Sequence, residues 1–257
     1  MMNRPMQSWV RVAVAVAAIA SGFSVVPANA QVVQVSSSDY RNTVNFNLGY
    51  FGLRAAESRD SEDVLLPNLI DLAKREDLEP LEIGDFNGFT FGGEWLYGIT
   101  NYIEVGGGVG YYKKTVETVY ADLTDDFGND IAQDLKLKVV PITATVRFLP
   151  LGRGGGIEPY VGGGIGIFPW RYTEIGEFVD DEGFIFSNVT DPFDANGVAI
   201  GPVLLAGIRA PMADAFALGA EFRWQRAVGD DLFEEGFLAD KIDLGGWNFN
   251  VTFGFRF

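Results

Sequence analysis

Four glutamates and four arginines are the side chains of this 257-residue sequence whose spacing best suits them to chemistry. Glu94, Glu104, Glu158 and Glu221, with Arg147, Arg209, Arg223 and Arg256, sit on the polar phase of segments that alternate apolar and polar residues. A carboxylate pair such as Glu94 with Glu221 could serve as general acid and base. Gathered on one buried surface, the same residues would instead neutralise one another as ion pairs. Composition narrows the choice. The sequence has no His, which excludes a Ser-His-Asp triad, imidazole acid–base catalysis and His-ligated metals. It has no Cys, which excludes disulfides, thiolate zinc sites and Cys nucleophiles. A net charge of −16 argues against nucleic acid as a partner. No catalytic residue, cofactor or metal ion is assigned, and an enzyme working on carboxylates alone is the minor reading.

The elements that must position these residues are strands. Trp247, Phe249, Val251, Phe253, Phe255 and Phe257 occupy every second position, separated by Asn248, Asn250, Thr252, Gly254 and Arg256. Period-two alternation is a strand with one apolar and one polar face. The same pattern predicts strands over about 43–53, 86–98, 101–116, 135–149, 157–172, 197–210, 214–227 and 245–257. Eight is an even number, as a closed bacterial barrel needs, and each segment reaches the ~9–11 residues that cross a bilayer. Connections alternate: short at 98–101, 151–156 and 211–214, long at about 54–85, 117–134, 173–196 and 228–244. That is the arrangement of short periplasmic turns and long extracellular loops, with both termini periplasmic. A soluble β-sandwich explains neither the rich apolar faces nor the alternating loops.

The first thirty residues read as an address. Arg4 and Arg11 precede the short apolar run Val12–Ala20, and Ala28-Asn29-Ala30 fits a small-x-small cleavage site. The expected division is a signal peptide over 1–30, cut near Ala30, and a barrel over 31–257. The destination is the bacterial outer membrane.

The terminal strand Trp247–Phe257 and the segment Glu158-Pro-Tyr-Val-Gly-Gly-Gly-Ile-Gly166 carry a resemblance. The chain resembles the small eight-stranded outer-membrane barrel superfamily, which includes the OmpA transmembrane domain, opacity-type surface antigens and OmpW-like proteins. The resemblance implies an all-β fold, an antiparallel up-and-down transmembrane barrel. It implies that Phe249, Phe253, Phe255 and Phe257 form the C-terminal signal read by the barrel-assembly machinery. The sequence departs from full-length OmpA in that no peptidoglycan-binding domain is expected after Phe257. The glycines of Glu104–Tyr111 echo those of Tyr160–Ile167. No helix follows either run, so they serve strand coiling in a narrow barrel rather than phosphate binding.

Alternation then assigns faces. The eight Glu and Arg residues point into a lumen that an eight-stranded barrel fills with its own side chains, forming a charge network that plugs it. A gated pore or proton path through the same residues is the functional alternative. On the outward face, Trp170, Trp224 and Trp247 are expected in an upper girdle. Trp95, Tyr97, Tyr102, Phe148, Tyr160 and Phe255 are expected in a lower one. Lys113, Lys136, Lys138, Arg171 and Arg226, with Arg54 at the edge of the set, lie just above the apolar faces. They would meet lipopolysaccharide phosphates, or snorkel and pair with loop acids. The four long connections hold 29 of the 35 acids. Asp122, Asp125, Asp126, Asn129 and Asp130, then Asp180, Asp181 and Glu182, are the densest oxygen ligands for calcium, but none fits an EF-hand spacing. Pro67 could begin a short helix within 65–75 that caps the barrel mouth, or the apolar residues there could be a partner or lipid contact.

The reading is therefore a non-enzymatic outer-membrane barrel of the structural or surface-antigen type, with acidic loops and outer-membrane lipid as its surroundings. A closed barrel has no free edge, so a monomer is expected. The alternative is an OmpW-like channel for small hydrophobic molecules. That would need an apolar inner funnel, for which Phe51, Leu96, Val139, Val203 and Leu205 are the inward candidates.

Overall fold

The computed structural model describes residues 40–154, 156–179, 184–213, 215–232 and 235–257. The signal peptide expected over 1–30 and the acids Asp180, Asp181 and Glu182 lie outside these residues. Among the described residues no helix is long and apolar enough to cross a membrane; the chain is built of strands.

The strands in chain order are β1 (Asn42–Leu53), β2 (Leu72–Lys74), β3 (Gly88–Gly98), β4 (Ile103–Thr124), β5 (Asp130–Val139), β6 (Ile142–Phe148) and β7 (Glu158–Val179). They continue with β8 (Ile185–Ser187), β9 (Phe193–Pro211), β10 (Phe216–Gln225), β11 (Val228–Gly229), β12 (Ile242–Asp243) and β13 (Gly246–Arg256). One α-helix, α1 (Leu65–Asp71), lies between β1 and β2. Pairing runs β1–β3–β4, then β5 and β6, then β7–β9–β10–β13, and β13 returns to β1. β5 and β6 are one wall position. Tyr112 opposite Val139 and Val109 opposite Ile142 share one register, interrupted at Val140–Pro141 because Pro141 has no N–H to donate. The result is a closed antiparallel ring of eight, with β1 and β13 paired from Thr43–Arg256 to Leu53–Gly246.

Alternation makes this ring amphipathic. Phe46, Leu48, Phe91, Trp95, Val109, Val146, Ile165, Ile200, Leu204, Phe222 and Phe253 all stand exposed on the outer wall. A continuous exposed apolar band around a closed sheet cannot face water and does suit lipid, where only helices and closed barrels satisfy the backbone. Aromatic contacts border it above (Tyr50–Phe89 at 5.8 Å) and below (Phe216–Phe255 at 5.4 Å).

The barrel is taller than its membrane band. β4 and β7 each run 22 residues, about twice what a bilayer requires. The segments 117–134 and 173–196, expected as loops, are largely strand. β4 and β5 close on a turn at Asp125–Asn129, and β8 folds back on β7. Charge suggests loop, but above the membrane the outer face of a strand meets water and can be polar. Glu117 and Asp134 face one another directly across the sheet there.

The extra height encloses a hydrophobic core. Phe51, Tyr112, Val116, Leu135, Leu137, Phe168, Trp170, Tyr172, Ala195 and Ala199 point inward from the wall. Val64, Leu65, Leu81, Ile83 and Phe86 come from the connection after β1, and Leu232, Phe237, Ile242 and Leu244 from the one before β13. These two connections fold inward as a cap, with Leu65 of α1 wholly buried. Pro67 sits in the first turn of α1, where a missing N–H costs nothing.

Candidate functional site

Three layers fill the lumen: the apolar core and its cap, a polar middle, and an ionic floor. Sheet register sets which residues meet. Inward positions on β3, β6 and β10 carry Glu94, Arg147, Glu221 and Arg223, and those on β4, β7, β9 and β13 carry Glu104, Glu158, Arg209 and Arg256. All eight point into the lumen.

They form two clusters. In the upper one, Arg147 Nη2 donates to Glu94 Oε2 at 2.5 Å and to Glu221 Oε2 at 2.7 Å. Arg223 bonds Glu221 Oε1 through Nε (3.1 Å) and Nη2 (2.8 Å) and stands 3.6 Å from Glu94. In the lower one, Arg209 bridges Glu158 (2.8 Å) and Glu104 (2.9 Å), and Arg256 donates to Glu158 at 2.6 Å. Backbone N–H of Gly154 adds a bond to Glu158. Charges buried at this depth are stable only when paired and hydrogen-bonded, and each carboxylate here meets at least one guanidinium.

Two members escaped the sequence reading. Arg153, from the turn between β6 and β7, reaches back into the barrel, lies 3.3 Å from Glu104, and donates to the Tyr40 carbonyl. It makes the lower cluster three arginines to two glutamates; no periodicity marks a turn residue as inward. Tyr160, expected in the lower girdle, is buried. Its hydroxyl donates to Glu221 at 3.1 Å, and the Arg147 guanidinium lies 4.7 Å from its ring centroid. Trp170, expected in the upper girdle, is buried too, its ring packed over the backbone of Gly197 and Gly229. Both corrections have one cause. Val161, Ile165 and Ile167 face lipid on odd positions of β7, so Tyr160, Phe168, Trp170 and Tyr172 must face inward. The other expected girdle residues, Trp95, Tyr97, Tyr102, Phe148, Phe255, Trp224 and Trp247, lie on the outer wall.

Between ionic floor and apolar core lies a polar cavity of about 40 Å3, lined by Asn47, Thr90, Glu94, Gln225, Asn248 and Asn250 among others. It has room for a few water molecules. The side-chain oxygens of Asn47 and Asn248 and one oxygen of Glu94 lack protein hydrogen-bond donors.

The cap is pinned by a second set of buried charges. Asp63 accepts from Arg59 (2.9 Å), from Leu65 N–H (3.0 Å) and from Asp243 N–H (2.9 Å). Arg59 also donates to the Asp243 carbonyl at 2.6 Å, and Arg54 pairs with Asp243 at 2.7 Å. Arg54 thus belongs to the cap and not to the outer rim. Burial pushes the Asp63 carboxyl above its ordinary range, against the pull of Arg59. Asn68 of α1 ties the cap to the wall through Tyr172 (3.0 Å) and Glu174 (2.7 Å).

On the outer surface Lys113, Lys138, Arg171 and Arg226 are exposed and Lys136 is half-buried. Arg171 holds Asp194 through Nε (2.6 Å) and Nη2 (2.7 Å), and Lys136 is 3.4 Å from Asp134. Among the described residues neither Lys113 nor Lys138 has a carboxylate within 4.0 Å; the Lys138 ammonium lies 5.6 Å from the Tyr111 ring centroid. Phe249, Phe253, Phe255 and Phe257 all stand exposed. Asp122, Asp125, Asp126, Asn129 and Asp130, the candidate calcium ligands among the described residues, form no metal-holding cluster. Asp125 spends its oxygens on the Phe127 and Asn129 N–H groups and the Asn129 amide.

No family model matches the sequence, and no curated relative matches it. Some solved structures are similar to it at low identity. The outer membrane protein OprG of Pseudomonas aeruginosa is 11% identical, with a TM-score of 0.47 over 85% of this chain and 96% of that one. Ail of Yersinia pestis, solved with the heparin analogue sucrose octasulfate, is 14% identical, with a TM-score of 0.40 over 84% and 99%. AlkL, solved in lipid bilayers, is 16% identical, with a TM-score of 0.39 over 85% and 90%. The closed antiparallel up-and-down ring of eight strands rests on this chain's own strand pairing.

Proposed function

We propose that the protein is a non-conducting integral outer-membrane surface protein: a sealed barrel that carries acidic extracellular structure above the membrane. The observation that carries this reading is the filled lumen. The Glu–Arg clusters occupy its lower half, packed aromatics its upper half, and the cap covers the mouth. The lipid-facing band and the secretory signal expected over 1–30 support the location. The exposed C-terminal phenylalanines suit recognition by the barrel-assembly machinery, and the absence of a free edge in the ring favours a monomer.

A channel for small hydrophobic molecules draws support from one observation: the inner wall above Glu94 is far more apolar than the five candidate residues suggested. Side chains of the cap already fill that space, so transport would require the cap to leave. Planar-bilayer recording of the refolded mature protein tests both readings. Silence from the native protein, with leakage when Arg147, Arg209, Arg223 and Arg256 are all replaced by Ala, is the expected result. Steady native conductance, blocked by hydrophobic solutes, would overturn the plug and favour transport.

A further inference from the structure

The outer wall carries one arrangement that a sheet avoids. Lys113 on β4 lies directly opposite Lys138 on β5, and Lys138 lies directly opposite Arg171 on β7. Three cations thus stand abreast on adjacent strands, on one face. Directly opposed residues in an antiparallel pair have Cβ atoms about 5 Å apart, and like charges there are destabilising. The acids that stand beside the row are already engaged. Asp194 engages Arg171 and Asp134 engages Lys136, while the acids above this row, Glu117 and Asp134, are both held by Arg75. Among the described residues, Lys113 and Lys138 are left with no carboxylate within 4.0 Å, and Arg171 uses only Nε and Nη2 on Asp194.

Position says what anion belongs there. The next outward residues toward the membrane are Tyr111, Val140 and Pro169, followed by exposed Val109, Ile142 and Ile167. The row is therefore the first charged step above the apolar band, where an amphiphile with acyl chains against that band would put its phosphates. Lys138, resting over Tyr111, and Lys113 have the length to move toward such a group.

We propose that Lys113, Lys138 and Arg171 form a clamp for the phosphate of an outer-leaflet glycolipid, the lipid A portion of lipopolysaccharide. The site rests on the outer-membrane reading above and narrows the five-residue rim to one row. Lys136 stands one outward step above the row, opposite Thr115 and Thr173, and Arg226, on the strand end after β10, lies outside the row.

The test uses the folded mature chain in detergent micelles. Bound lipid is measured by native mass spectrometry after titration with rough lipopolysaccharide, with the same material stripped of lipid A phosphates, with phosphatidylglycerol, or with inorganic phosphate. The native protein should retain intact lipopolysaccharide, and the stripped form at least tenfold less. The double variant Lys113→Gln/Lys138→Gln should lose the same factor at unchanged heat-modifiable migration, because both side chains lie on the outer wall. Arg226→Gln should bind as the native protein does. Equal retention by the double variant would overturn the clamp. Equal retention of stripped lipopolysaccharide would assign binding to acyl chains alone, and equal retention of phosphatidylglycerol would reduce the row to a general anionic-lipid contact; either overturns it. Failure of the chain to fold into micelles as a heat-modifiable barrel would sink the membrane reading itself, an outcome distinct from all of these.

Discussion

Replacing Arg147 with Met should unbalance the upper charge cluster in a way whose size follows from its geometry. Arg147 bonds Glu94 at 2.5 Å and Glu221 at 2.7 Å through one nitrogen. Without it, Glu221 keeps Arg223 at 2.8 Å and the Tyr160 hydroxyl. Glu94 keeps only Arg223 at 3.6 Å and the Asn45 amide at 3.5 Å. One buried carboxylate is then nearly uncompensated, at a cost of about 3–5 kcal/mol, which Met, filling similar volume, recovers only in part. Adding Glu94→Gln removes the orphan charge. The double variant should therefore be more stable than the sum of the single changes predicts, with a coupling of roughly 0.5–3 kcal/mol. Urea unfolding in phospholipid vesicles, followed by tryptophan fluorescence and by heat-modifiable migration, measures both values. A loss under about 1 kcal/mol for Arg147→Met, the range of an exposed surface pair, would refute the argument, as would strict additivity.

Single-tryptophan proteins should separate the two faces of the wall: bromine-labelled lipid should quench Trp247 and leave Trp170 nearly unaffected. Trp170→Ala should cost about 3–5 kcal/mol by urea unfolding, as expected for a large buried ring. In the cap, Asp63→Ala leaves Arg59 buried without its carboxylate, costing about 3–5 kcal/mol locally; trypsin should then cut at Arg54, Arg59 or Lys74 in an otherwise intact barrel. At the β4–β5 tip, hydrogen bonds from Asn129 and neighbouring N–H groups hold the Asp125 carboxyl below its ordinary range. Its contribution is present above the unfolded carboxyl pKa and is lost as pH falls through the lower folded value. Amide exchange at Gly128 and Asn129, corrected for intrinsic rate, should thus speed up on acidification, and Asp125→Asn should remove that pH dependence.

Strand existence and phase were legible because lipid enforces a strict rule: an outward residue in the band is apolar, so period two survives in β1, β3, β6, β9, β10 and β13. The luminal Glu and Arg residues follow from the same rule as its complement. Legibility failed where the rule weakens. In β7, three consecutive glycines erase the pattern, and aromatic residues on both sides of the break, Tyr160 and Trp170, look like girdle residues unless parity is carried through from Val161. Above the band, water touches the outer face and the cap touches the inner one. Charged Glu117, Asp134 and Glu174 therefore sit on strands that composition alone assigns to loops. The hydrophobic cap was visible only as the short run around Pro67. Its partners, from Leu232 to Leu244, are far away in sequence and meet it through pairs such as Asp63 with the Asp243 N–H.

The tall strands also set the mechanics of the exposed end. From Lys113 to Thr124, β4 continues for about a dozen residues past the membrane edge, roughly 35 Å along a strand tilted by about 40°. The tip is thereby lifted some 25–30 Å clear of the headgroups on paired strands, β4 against β5 with β2 alongside Thr118–Tyr120, rather than on a tether. A molecule arriving from outside meets a surface already fixed in shape and pays little ordering entropy to engage it. Residues at the tip lie far along β4 from the Glu–Arg clusters, so substitutions there should leave the stability of the barrel's base unchanged.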